Sequence, residues 1–150
     1  MIRSMRRIVI DTNVFVAALR SRRGRSNRLM SLVGTNRFET VISVPLILEY
    51  EDVALRQIDS LVYSASEIRE IIDFLCWASE ARAIYYLWRP FLPDPKDDLV
   101  LEVAVAGRCD TIVTFNRRDF RGSEQFGLRV QNPSEFLQEL DHESAEPTSS

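Results

Sequence analysis

One stretch near the start of the chain, Ile8-Val9-Ile10-Asp11-Thr12-Asn13, joins a short β-branched run to an acid at residue 11. β-branched side chains favour strands, so residues 7–10 are predicted to form a buried strand. Residues 13–19 are almost entirely apolar on all sides and predict a buried helix. Asp11 therefore lies at the junction of a strand and a helix, both of them in the predicted core.

The same alternation of short β-branched runs and helical patterns continues along the 150 residues. Strands are predicted at residues 7–10, 40–44, 84–88, 111–115 and 128–131. Helices are predicted at residues 13–19, 26–33, 66–80, 99–106 and 134–140, with a further helix that begins at Pro45. This order predicts an α/β fold with three layers, α/β/α, around a mostly parallel central sheet. One domain over residues 1–140 is expected, followed by a disordered acidic tail at residues 141–150.

Four carboxylates stand beside these apolar segments: Asp11, Glu49, Asp98 and Asp119. In parallel sheets, ligands bind outside the carboxyl ends of the strands, and all four acids can gather at that edge. Clustered carboxylates repel one another, so their pKa values rise or they capture a cation. The chain has one histidine, and its two cysteines lack metal-type spacing, which disfavours zinc sites and histidine bases. Oxygen ligands alone favour Mg²⁺ or Mn²⁺.

The acids also have plainer interpretations. Asp11 and Asp98 stand where aspartate commonly caps a helix. The competing acids are Asp94 and Asp97 beside Asp98, and Glu51 and Asp52 beside Glu49. Asn13 is expected to hold Asp11 by a hydrogen bond or to serve as a turn residue. Thr114 and Asn116 are candidates to support the carboxylates from behind.

Charge is distributed unevenly, although the formal net charge is −3. The first 40 residues hold nine arginines against two acids, and five of these arginines fall in one segment: Arg20, Arg22, Arg23, Arg25 and Arg28. Guanidinium groups bind phosphate in bidentate fashion, so this segment is a candidate RNA contact; the alternative is a solvated loop. No apolar run approaches the ~20 residues that span a bilayer, and no signal peptide is recognised. A cytoplasmic setting without membrane contact is therefore expected.

Three motifs resemble those of PIN-domain nucleases in their order, their spacing and their position relative to the strands. They are Ile10-Asp11-Thr12-Asn13-Val14-Phe15, Asp98-Leu99-Val100-Leu101-Glu102-Val103-Ala104 and Val113-Thr114-Phe115-Asn116-Arg117-Arg118-Asp119-Phe120. Glu49 matches the second acidic position of that family. The resemblance spans residues 7–140 and is close to bacterial VapC-type toxins of toxin–antitoxin systems. Asn116 stands where some relatives carry aspartate, which leaves the fourth acidic role to Asp119.

This resemblance implies a Mg²⁺- or Mn²⁺-dependent endoribonuclease whose catalytic, metal-binding residues are Asp11, Glu49, Asp98 and Asp119. It also implies two protein partners, a small antitoxin and a second copy of the chain in a homodimer. Large aromatic residues in one region, Trp77, Tyr85, Tyr86 and Trp88, agree with an oligomer surface. Two rival functions stay open. One is a non-toxic RNA-processing or RNA-binding PIN module, and the other is a phosphatase-like enzyme with an aspartate nucleophile.

Overall fold

The computed structural model describes residues 5–83 and 92–145. Its strands are β1 (Arg7–Ile10), β2 (Glu39–Ile42), β3 (Glu80–Ala81), β4 (Thr111–Val113) and β5 (Arg129–Gln131). Its helices are α1 (Thr12–Arg20), α2 (Arg25–Ser31), α3 (Val44–Arg56), α4 (Ala65–Ala78), α5 (Pro95–Ala106) and α6 (Pro133–Ala145). Short 3₁₀ turns occur at Ile58–Ser60, Arg117–Phe120 and Ser123–Phe126. Within these residues, no helix has both the length and the apolar character needed to cross a membrane.

The strands of the described sheet all run parallel, in the order β3-β2-β1-β4-β5. Parallel strands need crossover connections, and the helices between them supply these. The central strand β1 pairs on both sides, with Ile8 opposite Thr40 of β2 and Thr111 of β4. Ile8 and Val9 are fully buried, as expected for a strand that is covered on both faces. The predicted three-layer α/β/α fold is confirmed.

The strand β3 differs from the sequence-based prediction. The strand predicted at residues 84–88 lies outside the described residues. Helix α4 ends at Ala78, two residues before the predicted end, and Glu80 and Ala81 pair with Val41 and Ile42 of β2. A two-residue strand made of an acid and an alanine contains no β-branched run, so a hydrophobic pattern does not reveal it.

Helix α1 is buried, as its apolar sequence predicted. Val14 and Phe15 are fully enclosed, and the ring of Phe15 stacks on Tyr50 of α3 with ring centroids 4.6 Å apart. The helix contacts both α2 and α3. This packing holds the start of α1, and with it residue 11, at the carboxyl end of β1.

Helix α6 continues to Ala145, beyond the predicted end at residue 140, so the first part of the predicted disordered tail is helical. Asp141 forms ion pairs with Arg28 and Arg37, and Glu143 lies 3.4 Å from a guanidinium nitrogen of Arg6. These arginines come from the other end of the chain and neutralise the acids of the tail. The composition of the tail alone cannot show such distant partners. Residues 146–150 lie outside the described residues.

Candidate active site

Asp11 directly follows β1 at the carboxyl edge of the sheet. Its backbone N–H donates to the carbonyl of Val113 over 2.9 Å, which continues the pairing of β1 with β4. Its side chain caps helix α1, because Oδ1 accepts a hydrogen bond from the N–H of Thr12 over 2.8 Å. A helix N-terminus carries partial positive charge and favours aspartate. Asp11 is nevertheless only 7% exposed, so its charge is held next to the core.

Thr114, the residue after β4, holds the second oxygen of Asp11. Its hydroxyl donates to Asp11 Oδ2 over 2.7 Å. The same hydroxyl oxygen accepts the backbone N–H of Asn116 over 3.0 Å and lies 3.4 Å from Asn13 Nδ2, which also donates to it. The sequence predicts a hydrogen bond from Asn13 to Asp11, whereas the structure places that side chain on Thr114. All three residues predicted to support the carboxylates are thus gathered behind Asp11.

Glu49 lies in the second turn of α3, and the residue after it fixes the rotation of that helix. Tyr50 is buried and donates its hydroxyl to the carbonyl of Ile10, the last residue of β1. Glu49 then stands beside the start of α1, where Oε2 accepts a 2.5 Å hydrogen bond from the Thr12 hydroxyl. The charge of Glu49 raises the pKa of Asp11, so the two carboxylates share one site.

The first turn of α5 carries two adjacent acids, and only one of them lines the same cleft as Asp11 and Glu49. That residue is Asp97. Asp98 is buried beside Leu92, whose N–H donates to its Oδ1 over 3.0 Å. Successive residues of a helix are rotated by about 100°, so neighbouring acids point in different directions. Asp97 therefore lines the cleft with Asp11 and Glu49, whereas Asp98 is not among the residues that line it; the role of Asp98 as a metal ligand stays a prediction.

Asp119 reaches the site from the 3₁₀ turn Arg117–Phe120, which follows β4. The side chain of Phe120 is buried and anchors the turn in the core. The N–H of Asp119 donates to the carbonyl of Asn116 over 3.0 Å, which keeps the turn tight. From this position the charge of Asp119 raises the pKa of both Asp11 and Asp97.

The electrostatics of these acids follow from burial and mutual repulsion. Burial raises the pKa of Asp11 to about 6, and the charges of Glu49 and Asp119 add to the rise. The hydrogen bonds from the two threonines oppose this rise without cancelling it. Burial also raises the pKa of Asp97 to about 7, with further contributions from four neighbouring carboxylates. A bound cation relieves repulsion of this kind.

A cleft with a volume of about 250 Å³ is lined by the acids Asp11, Glu49, Asp94 and Asp97, and also by Arg20, Lys96 and Asn116. Asp119 is not among its lining residues and acts on these acids through its charge. Among residues 5–83 and 92–145, no three acidic, histidine or cysteine side chains form a ready-made metal site. Carboxylates without a counter-charge repel one another, which favours wider spacing than a bound ion would allow. The donor set still fits a hard divalent cation, because the candidate ligands are all carboxylates.

The arginines of the segment 20–28 do not form one surface at this cleft. Arg20 lines it and donates a hydrogen bond to Gln57 of α3. Arg22 lies over the ring of Tyr63, 4.5 Å from its centroid, and Arg28 pairs with α6 as described above. The remaining two, Arg23 and Arg25, are exposed and do not line the cleft. Of the five predicted RNA contacts, only Arg20 is placed beside the acids.

These elements define a class of protein: a parallel α/β/α domain with an acidic cleft at the carboxyl edge of its sheet. The family model described as PIN domain matches residues 7–118. This chain belongs to the PIN domain family, as the resemblance implied, and PIN domains are generally nucleases that use divalent metals.

A chain in the crystal structure of VapBC2 from Rickettsia felis bound to a DNA fragment from their promoter has a similar fold, with a TM-score of 0.56. The two chains are 16% identical in sequence, and the alignment covers 84% of this chain and 98% of that chain. No curated protein sequence matched the chain.

Proposed function

We propose that this chain is an endoribonuclease that hydrolyses RNA phosphodiester bonds with Mg²⁺ or Mn²⁺ in the acidic cleft. One observation carries the proposal. Four carboxylates from separate elements lie close enough at the carboxyl edge of the sheet for their charges to interact: Asp11, Glu49, Asp97 and Asp119. The charges of Glu49 and Asp119 raise the pKa values of both Asp11 and Asp97. Membership of the PIN domain family supports a nuclease. Relative to the set predicted from sequence, Asp97 takes the place of Asp98.

These four carboxylates would hold the cation, which supplies the polarisation of the scissile phosphate and the lowered pKa of a bound water. Thr114 keeps Asp11 in one orientation by holding Oδ2, and Thr12 does the same for Glu49. Ligands that are fixed by such hydrogen bonds lose little freedom when an ion binds.

The rim of the cleft provides the positive charge that an RNA substrate needs. Arg20 and Lys96 line the cleft beside the acids and would contact phosphate oxygens of the substrate. Without such cations the negative cleft would repel the RNA backbone. A flexible single strand fits better than a duplex, because its backbone can bend into a cleft of this size.

A cleavage assay on a mixed pool of single-stranded RNA tests the proposal. The wild-type chain should cut RNA with Mg²⁺ or Mn²⁺ and should not cut it in EDTA. Asp11→Asn should be folded, as judged by circular dichroism, and inactive. Cleavage in EDTA would contradict the metal requirement. RNA binding without cleavage would favour a binding module, and a phosphate trapped on Asp11 would favour a phosphatase-like enzyme.

We further propose that the chain is the toxin of a toxin–antitoxin pair that acts in the cytoplasm. The similarity of its fold to a chain of VapBC2 supports this class of partner. Expression of the wild-type chain should arrest growth, and co-expression of the protein encoded by the neighbouring gene should restore it. The two proteins should also purify together. Normal growth with a chain that cuts RNA in vitro would favour a non-toxic RNA-processing role.

A further inference from the structure

An arginine-rich groove of about 620 Å³ lies beside the turn that carries Asp119. Four arginines line it, Arg117, Arg118, Arg121 and Arg129, together with the apolar side chains of Phe120 and Leu128. Among the described residues that line it, Glu124 is the one acid. We propose that this groove binds phosphates of single-stranded RNA next to the acidic cleft. The inference rests on the proposed ribonuclease function and adds where the substrate lies outside the cleft.

The 3₁₀ turn Arg117–Phe120 separates the groove from the cleft. In a 3₁₀ turn, side chains three positions apart lie on the same side. Arg118 and Arg121 are related in this way: both line the groove, and the N–H of Arg121 donates to the carbonyl of Arg118 over 3.4 Å. Asp119 lies between them in the sequence and does not line the groove. Its charge instead raises the pKa of Asp11 in the cleft. This turn and its cap residue thus hold a carboxylate whose charge acts on the acids of the cleft and two guanidinium groups that line the groove.

The arginines of the groove differ in how they are paired. Arg117 forms an ion pair with Glu135, and Arg129 forms one with Glu139. Arg118 and Arg121 are exposed, and no ion pair joins either of them to an acid of the described residues. Two neighbouring guanidinium groups repel each other, and an anion that contacts both relieves this repulsion. Phosphate is such an anion, since guanidinium groups bind it in bidentate fashion.

The groove begins beside the cleft, on the other side of the turn Arg117–Phe120, and extends along the outer strand β5 of the described sheet. Asn116 lines the cleft, and the next residue, Arg117, lines the groove. Further along, the groove is lined by Arg129, the first residue of the outermost strand β5. An RNA strand cut in the cleft would therefore meet positive charge where it leaves. An acidic peptide also complements this charge, but the position of the groove beside the proposed site of phosphodiester hydrolysis favours RNA.

Binding of a labelled single-stranded RNA, followed by fluorescence anisotropy over a range of salt concentrations, tests this inference. The full chain carries Asp11→Asn so that it does not cut the probe. Replacing Arg118 and Arg121 together with Ala should weaken binding at least about tenfold at low salt. The slope of log Kd against log salt should fall by about 1.4, because each phosphate contact with a single strand contributes about 0.7. Replacing both with Lys should keep most of the slope, because the charge remains.

The matched control replaces Arg56 and Arg69 with Ala, two exposed arginines on α3 and α4, and changes the net charge equally. Its salt slope should equal that of the parent chain. An unchanged slope for the Arg118 and Arg121 variant, or an equal loss in the control, would overturn the inference. A polyglutamate peptide that binds the groove more tightly than RNA would overturn it as well. If the wild-type chain cuts RNA with metal but the salt slope is unchanged in the Arg118 and Arg121 variant, RNA binding in the groove is rejected and the ribonuclease function is kept. If the slope changes but the wild-type chain does not cut RNA, the ribonuclease function is rejected and RNA binding in the groove is kept.

Discussion

Thr114 donates its hydroxyl to Asp11 Oδ2 over 2.7 Å, although the two residues are 103 positions apart in the sequence. Both side chains are buried, so water does not replace this hydrogen bond. It lowers the pKa of Asp11, whereas burial raises it. Because Asn13 and Asn116 both donate to the same hydroxyl oxygen, the Thr114 proton is left to point at the carboxylate. The position of one carboxylate oxygen is therefore set by the residue that follows the neighbouring strand β4.

Thr114→Val tests this relationship. The substitution keeps the shape of the side chain but removes the donor to Asp11. Loss of a partner that orients a metal ligand typically costs about 10- to 100-fold in metal affinity or activity, and a similar loss in RNA cleavage is expected. Cleavage rates measured against Mg²⁺ concentration should show a raised metal requirement. Thr114→Ser retains the hydroxyl and should keep most of the activity; full activity in the Val variant would show that the bond is dispensable.

The two acids at the start of α5 should behave differently when each is changed to the neutral amide. Asp97→Asn removes a carboxylate from the cleft, and RNA cleavage should fall by more than the ~100-fold expected for loss of a supporting partner. Asp98→Asn keeps an oxygen that can accept the N–H of Leu92, so cleavage should remain within about tenfold of wild type. Initial cleavage rates under saturating Mg²⁺ would separate the two. The reverse order of activities would restore Asp98 as the ligand predicted from sequence.

Sequence patterns selected most of these candidate residues because they located the ends of strands. Asp11 follows a β-branched run directly, and the family spacing selected Glu49 and Asp119. The choice between Asp97 and Asp98 needed the rotation of α5, whose apolar residues surround much of the helix. Asp97 shares one helical face with Val100, Leu101 and Ala104, at intervals of three, four and seven residues, and all three are fully buried. Asp98 likewise shares a face with the buried Leu101 and Glu102, so the apolar pattern of the helix does not decide between the two acids.

Other features had no local signal at all. The strand β3 forms because Glu80 and Ala81 extend beside β2, and neither residue has a strong strand preference. The helical end of α6 depends on arginines more than 100 positions away, such as Arg28 and Arg37 beside Asp141 and Arg6 beside Glu143. Contacts of this length are decided by the complete fold and not by the segment that makes them.

Asp11 should also make the stability of the metal-free protein depend on pH. Its pKa is about 6 in the folded chain, above the ordinary value of 3.8, so the folded state binds this proton more tightly. In EDTA, the free energy of unfolding should therefore fall as pH rises from about 4 to about 6, by up to about 3 kcal/mol. Asp11→Asn should be more stable than wild type at pH 7.5 and should lose that advantage near pH 4. Urea unfolding at both pH values provides the measurement, and an Asn variant less stable at pH 7.5 would contradict the argument.

Gly107 ends helix α5 where it crosses close to β2. A Cβ atom at this position would stand 2.5 Å from Val41 Cγ1 and 3.1 Å from the carbonyl oxygen of Val103. Overpacking of this kind typically costs about 1–3 kcal/mol, so Gly107→Ala should lower the melting temperature. Gly24→Ala is the control for packing, since its Cβ would meet nothing nearer than 3.8 Å. Gly24 is the N-cap of α2, so only the poorer cap that alanine provides should lower stability, by about 1 kcal/mol or less. Equal melting temperatures for both variants would show that Val41 and β2 shift to make room for the extra methyl group at little cost in stability.

The aromatic surface on α4 should form part of a homodimer. Trp77 is 81% exposed and Phe74 is 46% exposed, with their ring centroids 6.0 Å apart. Exposed aromatic pairs are enriched at interfaces, and loss of a central tryptophan typically costs about 2 kcal/mol or more, roughly a 30-fold weaker association. Light scattering at micromolar concentration should give a dimer for the wild-type chain and a shift towards monomer for Trp77→Ser. Leu48→Ser removes another exposed apolar group, 60% exposed on α3, and should leave the dimer intact. The opposite result would move the interface to α3, and a monomeric wild type would exclude the dimer.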